Sequence, residues 1–308
     1  MAKYSVDDLD KDELFAFTDT NDERLDALFD KHIVKYRTKT IRSGNVLECE
    51  VYPIWDTRAS VSRARRFRET REAQKKLNNK NAIKNLIRLI NTNFTDNDIW
   101  GTFTYETKKL PATVELAQKE MVKFIRRLKY YATTHNFPAL KYAYVTEFED
   151  DEEKGKKRVH HHIVINFPDR DVAEKLWRNG ARTQTRRLQA DDSGYEGMVR
   201  YILKDPKGLK RYVTSKNLEK PITTIADYKF TKRKVFKIIN GDVSAYNVFE
   251  DMFNDKYKMI DWYHKTSEYC SGAYIYAKMC RRKIKGGYNN GYGLAKARKH
   301  TNSTRCRR

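Results

Sequence analysis

Cysteine is scarce and scattered. The four residues, Cys49, Cys270, Cys280 and Cys306, form no C-x-x-C and no paired spacing. That excludes a zinc ribbon and a disulfide framework. No apolar run approaches the length of a membrane span. The opening stretch "MAKYSVDDLDKDEL" is acidic and polar, which is not the pattern of a signal peptide. No G-x-x-x-x-G-K-[ST] segment occurs, so no P-loop ATPase is expected, and no internal repeat is visible. These absences leave a non-membrane protein expected in the cytoplasm.

Acidic residues are outnumbered, 41 against 63 Lys and Arg, giving a formal net charge of +22 over 308 residues. Such an excess costs self-repulsion and points to a polyanionic partner, nucleic acid ahead of an acidic membrane. With 39% hydrophobic residues, 20 Tyr and 14 Phe, the chain can still build a substantial core. The charge is unevenly spread. Residues 1–30 are acidic, whereas the last 28 residues hold ten Lys or Arg and no Asp or Glu. That Gly/Asn-rich end reads as a disordered basic arm.

Between the ends, patterning predicts elements. Residues 33–55 read as two strands around a Ser43-Gly44-Asn45 turn. An Arg-rich segment follows, with Arg63, Arg65, Arg66, Arg68 and Arg71. It leads into a helix with Ile83, Leu86, Ile87 and Ile90 on one face. The arginines suit either a solvated helix surface or DNA phosphates. A strand is then expected at 98–106, and an amphipathic helix carrying Val114, Ala117, Met121, Phe124, Leu128 and Tyr131 on one stripe. Next come a strand at 140–148, a charged turn and a strand through "RVHHHIVIN". A short helix from N-cap Asp169 to a C′ Gly180 follows. A fourth strand, "ARTQTRRLQ", precedes a helix through "GYEGMVRYILKDPKG" that ends at Pro206 and Gly208. The order βαββαβα predicts an α+β fold, a central antiparallel sheet with helices on one face. Beyond residue 221 only a hairpin near Asn240-Gly241 is expected.

Three of the seven histidines are consecutive, at 160–162. In a strand, Val159, His161, Ile163 and Ile165 share one face, apolar apart from His161. His160, His162 and Val164 share the other. The Cα atoms of His160 and His162 then lie roughly 6.6 Å apart. Two neutral imidazoles at that separation can converge on one divalent cation, although a bare H-x-H pair also suits two surface or hydrogen-bonded histidines. The preceding strand carries Glu147 near its end. If the two strands pair as a hairpin, Glu147 lies beside the histidines and offers an oxygen ligand. Glu149, Asp150 and Asp151 compete for that position. Mixed N/O ligation suits Mn²⁺ or Mg²⁺ without excluding Zn²⁺. Downstream, Tyr201 and Lys204 lie three residues apart on one helical face, opposite Met198, Val199, Ile202 and Leu203. A Tyr beside an ammonium is a candidate phosphorus nucleophile.

His-x-His on a strand, an upstream Glu and a downstream helix with Tyr-x-x-Lys resemble the HUH endonucleases. Among these the resemblance is strongest to the rolling-circle replication initiators of plasmids, integrative elements and small single-stranded-DNA phages. It spans roughly residues 96–221, through "WGTFTY", "RVHHHIVIN", "VRYILK" and "RYVTSKNLEKP". It implies a palm-like domain that nicks single-stranded origin DNA. His160, His162 and Glu147 would hold Mg²⁺ or Mn²⁺, Tyr201 would attack the phosphate, and Lys204 would assist. The product would be a 5′-phosphotyrosyl link with a free 3′-OH. A host helicase and DNA polymerase in a bacterial cell are the further partners implied. The sequence departs from the family at His161, where a bulky hydrophobe is usual. It also has a single convincing nucleophile, since Tyr195 lies six positions before Tyr201 and off its face.

The expected organisation is therefore an acidic segment (1–30), a hairpin and basic helical extension (31–95), an endonuclease domain (96–221), an aromatic-rich region (222–284) and a basic tail (285–308). Arg63, Arg65, Arg66, Arg68, Arg182, Arg186 and Arg200 are the candidate DNA contacts. A relaxase or single-strand transposase would use the same site. A non-enzymatic DNA-binding regulator would carry the histidines for structure alone.

Overall fold

The computed structural model describes residues 33–55, 71–151, 156–180, 183–203, 211–266 and 272–283. The acidic start, Arg63 to Arg68, Arg182, Lys204 and the basic tail lie outside them. Among the described residues the protein is α+β, with two five-stranded antiparallel sheets and six α-helices.

The first sheet contains β3 (Ile99–Thr104), β4 (Tyr142–Asp151), β5 (Lys156–Ile165), β6 (Thr183–Arg187) and β7 (Val213–Thr214), in the order β6-β3-β5-β4-β7. Interleaved with these strands are α2 (Val114–Thr134), α3 (Arg170–Leu176) and α4 (Glu196–Ile202), reproducing the expected βαββαβα order. Helix α2 starts where the Thr113 hydroxyl accepts a bond from the Leu116 amide. Its buried stripe of Ala117, Met121, Phe124, Ile125, Leu128 and Ala132 packs on Ile99, Phe103, Tyr144, Ile163 and Ile165. Each large apolar side chain so buried contributes about 1.5–3 kcal/mol. Asp169 caps α3 as expected, accepting from the Val172 amide at 3.0 Å. Gly180 is not its C′ residue, however. The helix ends at Trp177, whose indole donates to the Thr104 carbonyl at 2.7 Å. Gly180 lies against this contact, where a Cβ would collide with both groups. Close approach, rather than helix termination, requires glycine there.

Helices do not lie on one face alone, which corrects the one-sided arrangement expected. While α2 and α3 cover the face of Ile163 and Ile165, α1 (Arg71–Asn93) and α4 cover part of the other. Leu86, Ile87, Ile90, Val199 and Ile202 bury Ala143, Val145 and Val164. The reason is local. The face bearing His160 and His162 turns apolar at Val164, and an apolar surface at the centre of a sheet must be covered.

The second sheet joins distant parts of the chain. It comprises β1 (Ile33–Ser43), β2 (Val46–Trp55), β8 (Ile222–Ala226), β9 (Tyr257–Thr266) and β10 (Ala273–Arg281), ordered β8-β1-β2-β10-β9. The β1–β2 turn is the one expected. Gly44 has φ +57° and sits against the Asn91 carbonyl, where neither a Cβ nor that backbone conformation would be tolerated easily. The aromatic-rich region supplies the rest of the sheet, with Cys49 of β2 opposite Ala277 of β10. Helices α5 (Lys232–Ile239) and α6 (Ala245–Met252) pack Val235, Ile238, Val248 and Phe249 against it. Asn240-Gly241 is not a hairpin turn. Asn240 caps the C-terminus of α5, and Gly241 follows at φ +82°. This is the other common use of an Asn-Gly pair.

Helix α1 bridges the sheets. Arg88 donates through two nitrogens to the Glu48 carboxylate, at 2.6 and 3.1 Å, and the Tyr276 hydroxyl donates to it at 2.8 Å. Burial opposes ionisation of Glu48, but Arg88, Tyr276 and Lys278 outweigh it and hold the carboxyl below its usual range. Lys278 also pairs with Glu196 at the start of α4, so the second sheet braces the helix that carries Tyr201.

Candidate metal centre

Strands β4 and β5 form the expected hairpin, and their register sets the site. Glu147 lies directly opposite His160, and Val145 opposite His162. Side chains alternate, so Glu147, His160 and His162 project from one face. One Glu147 oxygen lies 2.8 Å from His160 Nε2 and the other 3.3 Å from His162 Nε2. The imidazole rings are perpendicular, with centroids 4.9 Å apart. All three donor atoms fall within 4.8 Å of one another, and the two histidines are buried. Two imidazole nitrogens and a carboxylate oxygen converging so closely could hold a divalent metal ion. Glu149, Asp150 and Asp151, the competing carboxylates, are in register with Arg158, Lys157 and Lys156, farther along the hairpin.

On the neighbouring strand β3, Thr102 is opposite His162. Its hydroxyl lies 3.1 Å from His162 Nδ1. When Nε2 offers its lone pair to a cation, Nδ1 carries the proton and donates to this hydroxyl, which fixes tautomer and ring orientation. Sequence reasoning missed Thr102. The signal was present in "WGTFTY", where Thr102 and Thr104 interrupt an apolar strand, but nothing in the sequence states which strand borders the histidines.

His161 points the other way, as alternation requires. It is fully buried, 2.8 Å from the Tyr105 hydroxyl through Nε2 and 3.0 Å from the Thr146 hydroxyl through Nδ1. Trp177 meets its ring edge-on. Burial, aided by the neighbouring His160 and His162, lowers its pKa from 6.5 to about 3. The polar residue in the hydrophobe's place is thus a neutral imidazole with both nitrogens engaged.

Tyr201 stands on α4 with its ring 5.9 Å from that of His162 and edge-on to it. It is 63% exposed, an unusual position for a large aromatic beside buried ligands. Tyr195 is a different residue in every respect. It is buried against Leu86, Ile90 and Val199, and its hydroxyl donates to Asp96 at 2.9 Å. Burial and Asp96 raise its pKa. Of the basic candidates described, Arg186 is exposed and lies over the Trp100 ring, 5.6 Å from its centroid. Arg200 is already paired with Glu196 at 2.6 Å.

The fold and cluster define an α+β protein with a candidate metal centre on one sheet face and an exposed tyrosine at its edge. Residues 98–206 match the family model of the Replication-associated protein ORF2. This segment runs from the start of β3 past the end of α4 and contains the whole cluster. The match supports a rolling-circle replication-associated protein with a role in replication initiation. No curated protein and no solved structure matches the chain. No helix among the described residues is long and apolar enough to cross a membrane.

Proposed function

We propose that the protein is a nicking enzyme of the HUH type, cutting single-stranded origin DNA to initiate rolling-circle replication. One observation carries the reading. The Glu147–His160–His162 cluster and the exposed Tyr201 ring share one edge of a sheet, inside the segment that matches the replication-associated family. A divalent cation, Mg²⁺ or Mn²⁺, held there would polarise a phosphate oxygen and stabilise charge in the transition state. The Tyr201 oxygen attacks phosphorus, the bond from phosphorus to the 3′ oxygen breaks, and a 5′-phosphotyrosyl bond forms. The phenol releases its proton and the departing 3′ oxygen takes one up, leaving a free 3′-OH as primer for a polymerase. No bond energy is lost to water, so the reverse step rejoins the strand without ATP. Exposure of Tyr201 leaves room for a strand to reach its hydroxyl. Lys204, one turn onward in sequence, is assigned to stabilise the phenolate or the phosphate.

The test is to incubate the protein with labelled single-stranded DNA and Mn²⁺ and look for an SDS-resistant species. Wild type and Tyr195→Phe should form it. Tyr201→Phe should bind the DNA and form none, and peptide mapping should place the nucleotide on the segment containing Tyr201. An adduct on another tyrosine would overturn the nucleophile. Absence of any adduct with Mg²⁺ or Mn²⁺ would overturn the enzyme.

A further inference from the structure

A second surface lies on the other sheet. Residues 227–241 hold five cations, Lys229, Lys232, Arg233, Lys234 and Lys237, against one carboxylate, Asp227. That carboxylate is already engaged. Arg37 at 2.7 Å and Lys35 at 2.6 Å hold it below the usual carboxylate range. Lys229 and Lys234 fold over the rings of Phe253 and Phe230. The other three cations are exposed, and none makes an ion pair among the described residues.

Helix geometry gathers them. Val235 and Ile238 of α5 face the core with Phe249. At 3.6 residues per turn, Lys232, Arg233, Phe236 and Lys237 occupy an arc of about 140° on the side away from it. Phe236 is 44% exposed between the cations. The Val243 amide donates to the Lys237 carbonyl, bringing the exposed Val243 and Tyr246 to the end of α5. Tyr228, 83% exposed, lies just before its start. Single exposed aromatics are ordinary; several interleaved with unpaired cations are not. Cations alone would suit any polyanion. Exposed rings add stacking faces that unpaired bases can use and the stacked bases of a duplex cannot.

We propose that this α5 surface is a second single-stranded-DNA contact, separate from the metal cluster. Lys232, Arg233 and Lys237 bind phosphates, and Phe236, with Tyr228 and Tyr246, stacks on bases. The proposal rests on the reading of the protein as one that acts on single strands, and it gives the strand flanking the nick a place to be held.

The experiment uses the full chain in EDTA, so that binding is read without cleavage. Fluorescence anisotropy measures affinity for a mixed-sequence single strand and for the matching duplex across a salt series. Lys232→Ala/Arg233→Ala/Lys237→Ala should flatten the single-strand salt slope by about 2. Phe236→Ser should weaken single-strand binding about 5- to 100-fold and leave duplex binding unchanged. All four positions are exposed, and thermal unfolding should match wild type. An unchanged slope in the triple variant, or equal loss of single-strand and duplex binding in Phe236→Ser, overturns the proposal. Adduct formation by wild type on an oligonucleotide too short to leave the metal centre separates the two readings. If no adduct forms but the slope flattens, the surface stands and the nicking reading falls. If the adduct forms and the slope is unchanged, the surface alone falls.

Discussion

His160 and His161 are neighbours of the same residue type, and the two faces of β5 treat them differently. On one face His160 and His162 meet a carboxylate, with an exposed tyrosine at the rim. On the other, His161 is enclosed by Tyr105, Thr146 and Trp177 and kept neutral. The contrast lies in what surrounds each ring. The first face changes along its length, apolar and covered at Val164 but polar at His160, and chemistry becomes available where the cover stops. The second face is covered throughout, so its histidine must satisfy both nitrogens internally or be left with a buried unpaired group.

Substitutions can break this comparison. The largest effects should come from the polar face. His160→Ala, His162→Ala and Glu147→Gln should each bring Mn²⁺ binding, read by calorimetry, below detection, and the nicked product should vanish. A folded His160→Ala protein that still nicks would show that the faces were assigned the wrong way round. Thr102→Val should act less severely, because it frees the His162 ring without removing a ligand. We expect about 10- to 100-fold weaker metal binding, with circular dichroism unchanged.

On the covered face, His161→Leu should retain nicking but lose about 1–3 kcal/mol of stability in urea unfolding, because the Tyr105 and Thr146 hydroxyls lose their partner. It should also change the response to acid. The folded pKa of His161, about 3, lies below its ordinary 6.5. As pH falls through that interval, the unfolded chain takes up a proton that the folded chain refuses. The contribution is fully present above about pH 6.5 and declines toward pH 3, so the Leu variant should lose less stability than wild type over that window. The smallest effect sharpens the choice of carboxylate. Glu149→Gln should leave Mn²⁺ affinity unchanged, since Glu149 is in register with Arg158 rather than with a histidine.

The site was more legible in the sequence than the fold around it. Period-two alternation separated His161 from His160 and His162, and a short charged turn implied the hairpin that brings Glu147 to them. Both rest on contacts between residues close in the chain. Thr102 reaches His162 across 60 positions, and no local pattern announces it. The second sheet was the least legible. The β1–β2 hairpin could be read from its turn, but its partner β10 lies more than two hundred residues away, and Asn240-Gly241 suits a helix end as well as a hairpin. The one-sided sheet was expected because His160 and His162 dominate a face whose remaining residues, Val164, Val145 and Ala143, are apolar and demand cover.

The sequence by itself determined the basic charge, the order of strands and helices from Ile99 to Ile202, the division of the three histidines between two faces and the candidacy of Tyr201. Composition and short-range periodicity carry that information directly, because backbone geometry is local. Tertiary structure decided which carboxylate meets the imidazoles, that Tyr201 rather than Tyr195 remains exposed, that Thr102 orients a ligand, and that the two ends of the described chain close into one sheet. Each of these depends on register and on which surface a distant segment covers. Those are set by the burial of apolar area across the whole molecule, a quantity that no short stretch of residues contains.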